Sequence, residues 1–82
     1  MMRVLVADDH ALVRKGLKEL IDDTTDMHVS GEAVNGLEVL EMVRKEDWDV
    51  LVLDMLLPLR NGMEVLGEVR HIKPRLDRKA HV

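Results

Sequence analysis

The stretch VLVLDMLLPLRNG, Val50 to Gly62, decides the fold. It opens as a continuous apolar run, places an acid, Asp54, at the end of that run, and follows it four residues later with Pro58. Such a run, with no polar alternation, predicts a strand over Asp47–Asp54 that is buried on both faces. An ionised carboxylate inside it would be costly to bury without a partner. Asp54 therefore belongs at the strand's end, beside something that offsets its charge.

Working outward, RVLVA (Arg3 to Ala7) is a second β-branched-rich run, and it also ends in acid, at Asp8 and Asp9. From Ala11 to Asp22, Val13, Leu17, Leu20 and Ile21 recur at helical spacing and predict an amphipathic helix. HVSGEA (His28 to Ala33) reads as a weaker strand at the sheet's edge. In NGLEVLEMVRK, Asn35 and Glu38 form a capping-box pattern, with Leu37, Leu40 and Val43 on one face. RNGMEVLGEVRH repeats that grammar once, Asn61, Gly62, Glu64, Val65 and Val69 matching Asn35, Gly36, Glu38, Val39 and Val43, and Pro74 is expected to end this third helix. A single echo means two βα units built alike, not a solenoid. Trp48, the one aromatic residue, reads as a packing residue at the strand entrance.

The order βαβαβα implies an α/β, doubly wound parallel sheet with right-handed crossovers and helices on both faces. Open sheets of this kind carry their sites beyond the carboxyl ends of the strands. With strand order 2-1-3, Asp8, Asp9 and Asp54 converge on one edge. Three carboxylates so close would repel, and a hard divalent cation such as Mg2+ resolves the conflict through oxygen ligands.

Composition narrows the partners. With 82 residues, 46% hydrophobic and 34% charged, the chain has the balance of one small globular domain or a piece of a larger one. A net charge of -4 with interspersed signs provides no field for nucleic acid or an anionic membrane, and the C-terminal HIKPRLDRKAHV reads as a solvated tail. There is no cysteine, so disulfide and thiol chemistry are excluded. No segment reaches the roughly 20 apolar residues that span a bilayer, and a cytoplasmic protein is expected. His10, His28, His71 and His81 lack paired metal-ligand spacing on one helix, although His10 stands beside the acidic pair, where it can tune it. The six methionines read as core fillers.

VLVADDH followed by LVLDMLLPLRNG resembles the receiver domain of two-component response regulators, and DDH followed by LVRKGL is similar to the NarL/FixJ subfamily with LuxR-type outputs. The resemblance runs from Arg3 to about Pro74. It implies a flavodoxin-like (CheY-like) fold and a phosphorelay role within a transcriptional regulator. Asp54 matches the phosphoacceptor that takes a phosphoryl group from a histidine kinase. Asp9 matches a direct Mg2+ ligand, Asp8 the acid that holds the metal through water, and the main-chain carbonyl of Leu56 a third protein ligand. Pro58 and Gly62 match the loop that leads into the third helix.

The family's hydroxyl at the end of strand four and lysine at the end of strand five have no counterpart in this sequence, which implies impaired phosphotransfer. The resemblance thus gives a partial receiver over residues 1–74, truncated after helix three, with 75–82 a tail or the start of a fourth strand. Lacking strand four, strand three is expected to be an open apolar edge, and the chain to self-associate as a dimer or higher. A non-catalytic interaction fragment with that edge exposed is the rival reading. Enzymatic activity is not expected: an aspartyl phosphatase of the haloacid dehalogenase type needs a second acid two residues after its nucleophile, where this chain has Leu56.

Overall fold

The structure, a computed structural model, describes residues 1–72 and 80–81. Its elements follow the expected order: β1 (Met2–Ala7), α1 (Ala11–Asp22), β2 (Met27–Ala33), α2 (Gly36–Lys45), β3 (Val50–Leu53), α3 (Gly62–Ile72) and β4 (Ala80–His81). All strand pairs are parallel. The sheet order is β2-β1-β3-β4, so the anticipated 2-1-3 core is present with a two-residue strand added beside β3. None of the described helices is long and apolar enough to cross a membrane.

The alternation of β1 and β3 splits the core in two. Leu5, Ala7, Leu51 and Leu53 face α2 and α3, where they pack with Val39, Leu40, Val43, Val65 and Val69. Val4, Val6 and Val50 face the other way, forming with Val29 a small cluster against Leu17 and Ile21 of α1. The two NG repeats close the larger side. Asn35 Oδ1 accepts the Glu38 amide at 2.9 Å and Asn61 Oδ1 accepts the Glu64 amide at 3.0 Å, so each helix starts on the same cap. Both glycines follow from close approach: a Cβ on Gly36 would stand 2.0 Å from the Arg60 carbonyl oxygen, and one on Gly62 would stand 2.6 Å from Met55 Cα.

Three expectations are corrected. β3 spans Val50–Leu53 rather than Asp47–Asp54. Ahead of it, Asp49 Oδ2 accepts the Arg3 amide at 2.8 Å, so a side chain replaces a main-chain ladder bond. The α1 face is less covered than its periodicity implied: Leu17 and Ile21 touch the sheet, but Leu20 is 72% exposed and no α1 residue is fully buried. Finally, the outer edge of β3 is not bare, because Leu51 and Val52 pair with Ala80 and His81. Pro74, expected to end the third helix, lies outside the described residues.

Trp48 has the packing role expected of it. It is buried at the entrance to β3, donates its indole N–H to the Met42 carbonyl at 3.0 Å and lies under the Arg3 guanidinium at 4.5 Å. β2 carries a bulge opposite Val4 and Leu5, and Gly31 beyond it gives the indole room, since a Cβ there would stand 2.5 Å from Trp48 Cη2.

Candidate functional site

β1 and β3 run side by side, Ala7 paired with Leu53, so the residues that follow them emerge together at the carboxyl edge. The Asp8 amide donates to the Ala33 carbonyl at 3.1 Å and the Asp54 amide to Ala7 at 3.0 Å, extending the ladder up to both acids. One ligand atom each from Asp8, Asp9, His10 and Asp54 lies within 4.8 Å of the others. The structure therefore brings together all three predicted carboxylates and adds an imidazole. An oxygen-rich group of this kind has the donor chemistry that a hard divalent cation requires.

The individual side chains differ in their surroundings. The Asp8 side chain is 13% exposed, and its Oδ1 accepts both the His10 amide and His10 Nδ1 at 2.8 Å. His10 Nδ1 also stands 3.1 Å from Asp9 Oδ1. The Asp8 hydrogen bond, and after it the Asp9 charge, raise the His10 pKa above its usual value. Asp54 is half-buried, and its Oδ1 accepts the Leu56 amide at 2.9 Å, which fixes one carboxylate oxygen by a local turn. Leu56 projects an exposed side chain beside the site.

The loop after Asp54 is held to both neighbouring helices. The Gly62 amide donates to Met55 O at 3.0 Å, and the Gly36 amide donates to Pro58 O at 3.2 Å. Arg60 then pairs with Glu64 at 3.2 Å and donates to Glu68, which Arg44 of α2 also reaches. Within this loop Leu59 has φ 69, a left-handed conformation that costs a β-carbon-bearing residue about 1–2 kcal/mol. Between Leu17 and the segment Val52–Leu56 an open groove of about 540 Å³ leads to Asp8 and Asp54.

One positioning residue escaped the sequence reading. Arg14 belongs to the polar face of α1 by periodicity, yet its Nη1 donates to the Asp8 carbonyl at 2.8 Å and its Nε to Glu32 at 3.3 Å. It ties α1 and β2 to the residue that opens the acidic pair. An arginine one helical turn after the pair was the available signal, but nothing local distinguishes it from a solvated one.

Comparisons with known proteins agree with this geometry. The response regulator receiver domain family matches residues 4–78. The chain is 46% identical over 65 residues to the protein-glutamate methylesterase/protein-glutamine glutaminase of Pyrococcus abyssi, covering 79% of this chain and 18% of that protein. It is 40% identical over 67 residues to the nitrate/nitrite response regulator protein NarL of Escherichia coli, covering 82% of this chain and 31% of that one. Among solved structures, the response regulator domain of Thermotoga maritima CheB superposes with a TM-score of 0.86 at 40% identity, over 90% of this chain and 55% of that domain. The chain thus spans less than a third of either curated relative and about half of the solved domain. Parallel order, paired acids after β1 and an acid after β3 converge with these matches, and the chain belongs to the response regulator receiver domain family.

Proposed function

We propose that this chain is a phosphoacceptor module of a two-component phosphorelay, with Asp54 receiving the phosphoryl group from a histidine kinase. The observation that carries the reading is the convergence of Asp8, Asp9 and Asp54 at one sheet edge, their ligand atoms within 4.8 Å of one another. In the transfer, an Asp54 carboxylate oxygen forms a bond to phosphorus while the bond between phosphorus and the donor histidine nitrogen breaks, and the electron pair of that bond stays with the nitrogen. Asp9, Asp54 and the Leu56 carbonyl would hold Mg2+ directly and Asp8 through water. A bound ion there supplies charge neutralisation and polarises the phosphoryl oxygens. The Leu56 amide at 2.9 Å orients the Asp54 carboxylate, and Arg14 holds the Asp8 main chain in place.

The test is incubation with Mg2+ and a small phosphodonor, read by intact-mass spectrometry. The expected result is one added phosphoryl group in the wild-type chain and none in Asp54→Asn. An unchanged wild-type mass would reject retained phosphotransfer.

A second reading, self-association, is favoured by one specific observation: the apolar side chains Leu12 and Leu20 of α1 are 84% and 72% exposed. Apolar exposure of this kind is relieved by a partner surface. Sedimentation at micromolar concentration is expected to give a dimer or larger species, and a well-folded monomer would overturn it.

A further inference from the structure

Asp8 is anchored at both of its main-chain groups to consecutive residues of β2. Its amide donates directly to the Ala33 carbonyl at 3.1 Å. Its carbonyl is reached through an intermediary: Arg14 Nη1 donates to it at 2.8 Å, while Nε of the same guanidinium donates to Glu32 Oε1 at 3.3 Å. The path from Glu32 through Arg14 to Asp8 closes a loop with Ala33, and the main chain on either side of the Asp8 Cα is fixed against one strand. Arg14 is also better covered than other cations of the surface, its side chain being 17% exposed against 40% for Arg3 and 56% for Arg44. A planar guanidinium presents its donors in a rigid fork, so one side chain serves the carbonyl and the carboxylate together.

A carboxylate that holds an ion through water has no direct bond to the metal to correct its position, so its own anchoring decides where its oxygens stand. Partners outside the ligand set that orient its members typically change metal affinity by about 10–100-fold when removed. We propose that Arg14, oriented by Glu32, is a positioning residue for Asp8, so that the end of β2 sets the Mg2+ affinity of the acidic pocket. The inference rests on the metal-holding reading of Asp8, Asp9 and Asp54 given above. Its sign is opposite to that of charge alone. A cation near the pocket repels a dication, so removing Arg14 tightens Mg2+ binding if charge is its whole effect. Removing a positioning residue weakens it.

Titration of the full chain with MgCl2, read from amide NMR shifts, compares wild type, Arg14→Met, Glu32→Ala and the double variant, each with its urea midpoint. Methionine keeps a flexible, unbranched stem at position 14, and Glu32 is exposed, so the variants are expected to fold. Arg14→Met should weaken Mg2+ binding about tenfold, the lower end of the range for orienting partners. Glu32→Ala should weaken it less, and the double variant should bind no more weakly than Arg14→Met, because Glu32 acts through the guanidinium. Phosphorylation by a small phosphodonor supplies a second readout: Arg14→Met should regain the wild-type rate at saturating Mg2+. Equal or tighter Mg2+ binding by Arg14→Met overturns the inference and leaves the metal pocket standing. A rate that stays low at saturating Mg2+ also overturns it, because the loss is then structural, and additive losses in the double variant overturn the role of Glu32. A wild-type chain that binds no Mg2+ overturns the pocket itself and the inference with it.

Discussion

On the side of the sheet facing α2 and α3, Leu5, Leu51 and Leu53 are closed over by Val39, Leu40, Val43, Val65 and Val69, all fully or nearly fully buried. On the side facing α1, the buried set is four valines, and α1 contributes only the partly buried Leu17 and Ile21. Polar contacts add to these: Arg14 donates to the Asp8 carbonyl at 2.8 Å, and Asp22 Oδ1 accepts the Val29 amide at 2.8 Å. The acidic site lies where the two sides meet. Its β3 loop is clamped by the closed side through Gly36, Gly62 and Arg60, and its β1 acids are tied down by the more open side.

The sharpest way to break that contrast is a matched truncation on each side. Leu40→Ala in α2 should cost about 2–5 kcal/mol, because it removes a fully buried side chain from a closed core. Leu20→Ala in α1 should fall within about 0.5 kcal/mol of wild type, since the side chain is mostly in water. Urea denaturation of the two variants gives the comparison. Equal losses would mean that α1 is as well seated as α2.

A second pair tests the clamp within one helix. Gly62→Ala drives a methyl against Met55 and should destabilise by about 1–3 kcal/mol, the range for overpacking. Gly67→Ala, where nothing lies within 4 Å of the added carbon, should instead stabilise α3 by about 0.5–1 kcal/mol. Opposite shifts in thermal midpoint confirm that the first glycine serves the loop contact and the second does not. A smaller effect is expected at Leu59, whose φ of 69 is strained and whose side chain packs little. Leu59→Gly should gain about 0.5–1 kcal/mol, read as a raised urea midpoint, because relief of the left-handed strain outweighs the added chain entropy.

The closed side was also the more legible one. The caps of α2 and α3 depend on an Asn and a Glu three residues apart, a local pattern that identifies its own geometry. The convergence of Asp8, Asp9 and Asp54 followed from strand order, which the alternation of elements determines. Elsewhere the information was not local. Periodicity tells which face of α1 is apolar, but not how much sheet lies beneath it, and Leu20, on the apolar face, is 72% exposed. The start of β3 depends on Asp49 reaching Arg3 across the sheet, a contact invisible in a window of neighbours. Two residues of β4 carry no period at all. Arg14 looked like any cation on a polar helix face until the fold brought the Asp8 carbonyl to it.

The smallest expected effect tests whether the α1 side is held by charge. Asp22 accepts the Val29 amide and pairs with Lys18 at 2.8 Å, and these interactions lower its pKa below the ordinary carboxylate value, the Lys18 hydrogen bond first and the Val29 amide next. A carboxylate whose folded pKa is depressed stabilises the fold fully above its unfolded pKa, and that contribution is lost as the pH falls through the folded value. Asp22→Asn keeps an oxygen for the Val29 amide but has no charge to titrate. The stability gap between wild type and this variant should therefore be widest near neutral pH and shrink on acidification below about pH 4. Urea midpoints of both chains, measured at a series of pH values, give the difference directly. Taking the difference cancels the other carboxylates, which titrate in both chains. A gap that stays constant into acid would place the hold on α1 in the Leu17 and Ile21 contacts, and the two sides of the sheet would then differ in extent but not in kind.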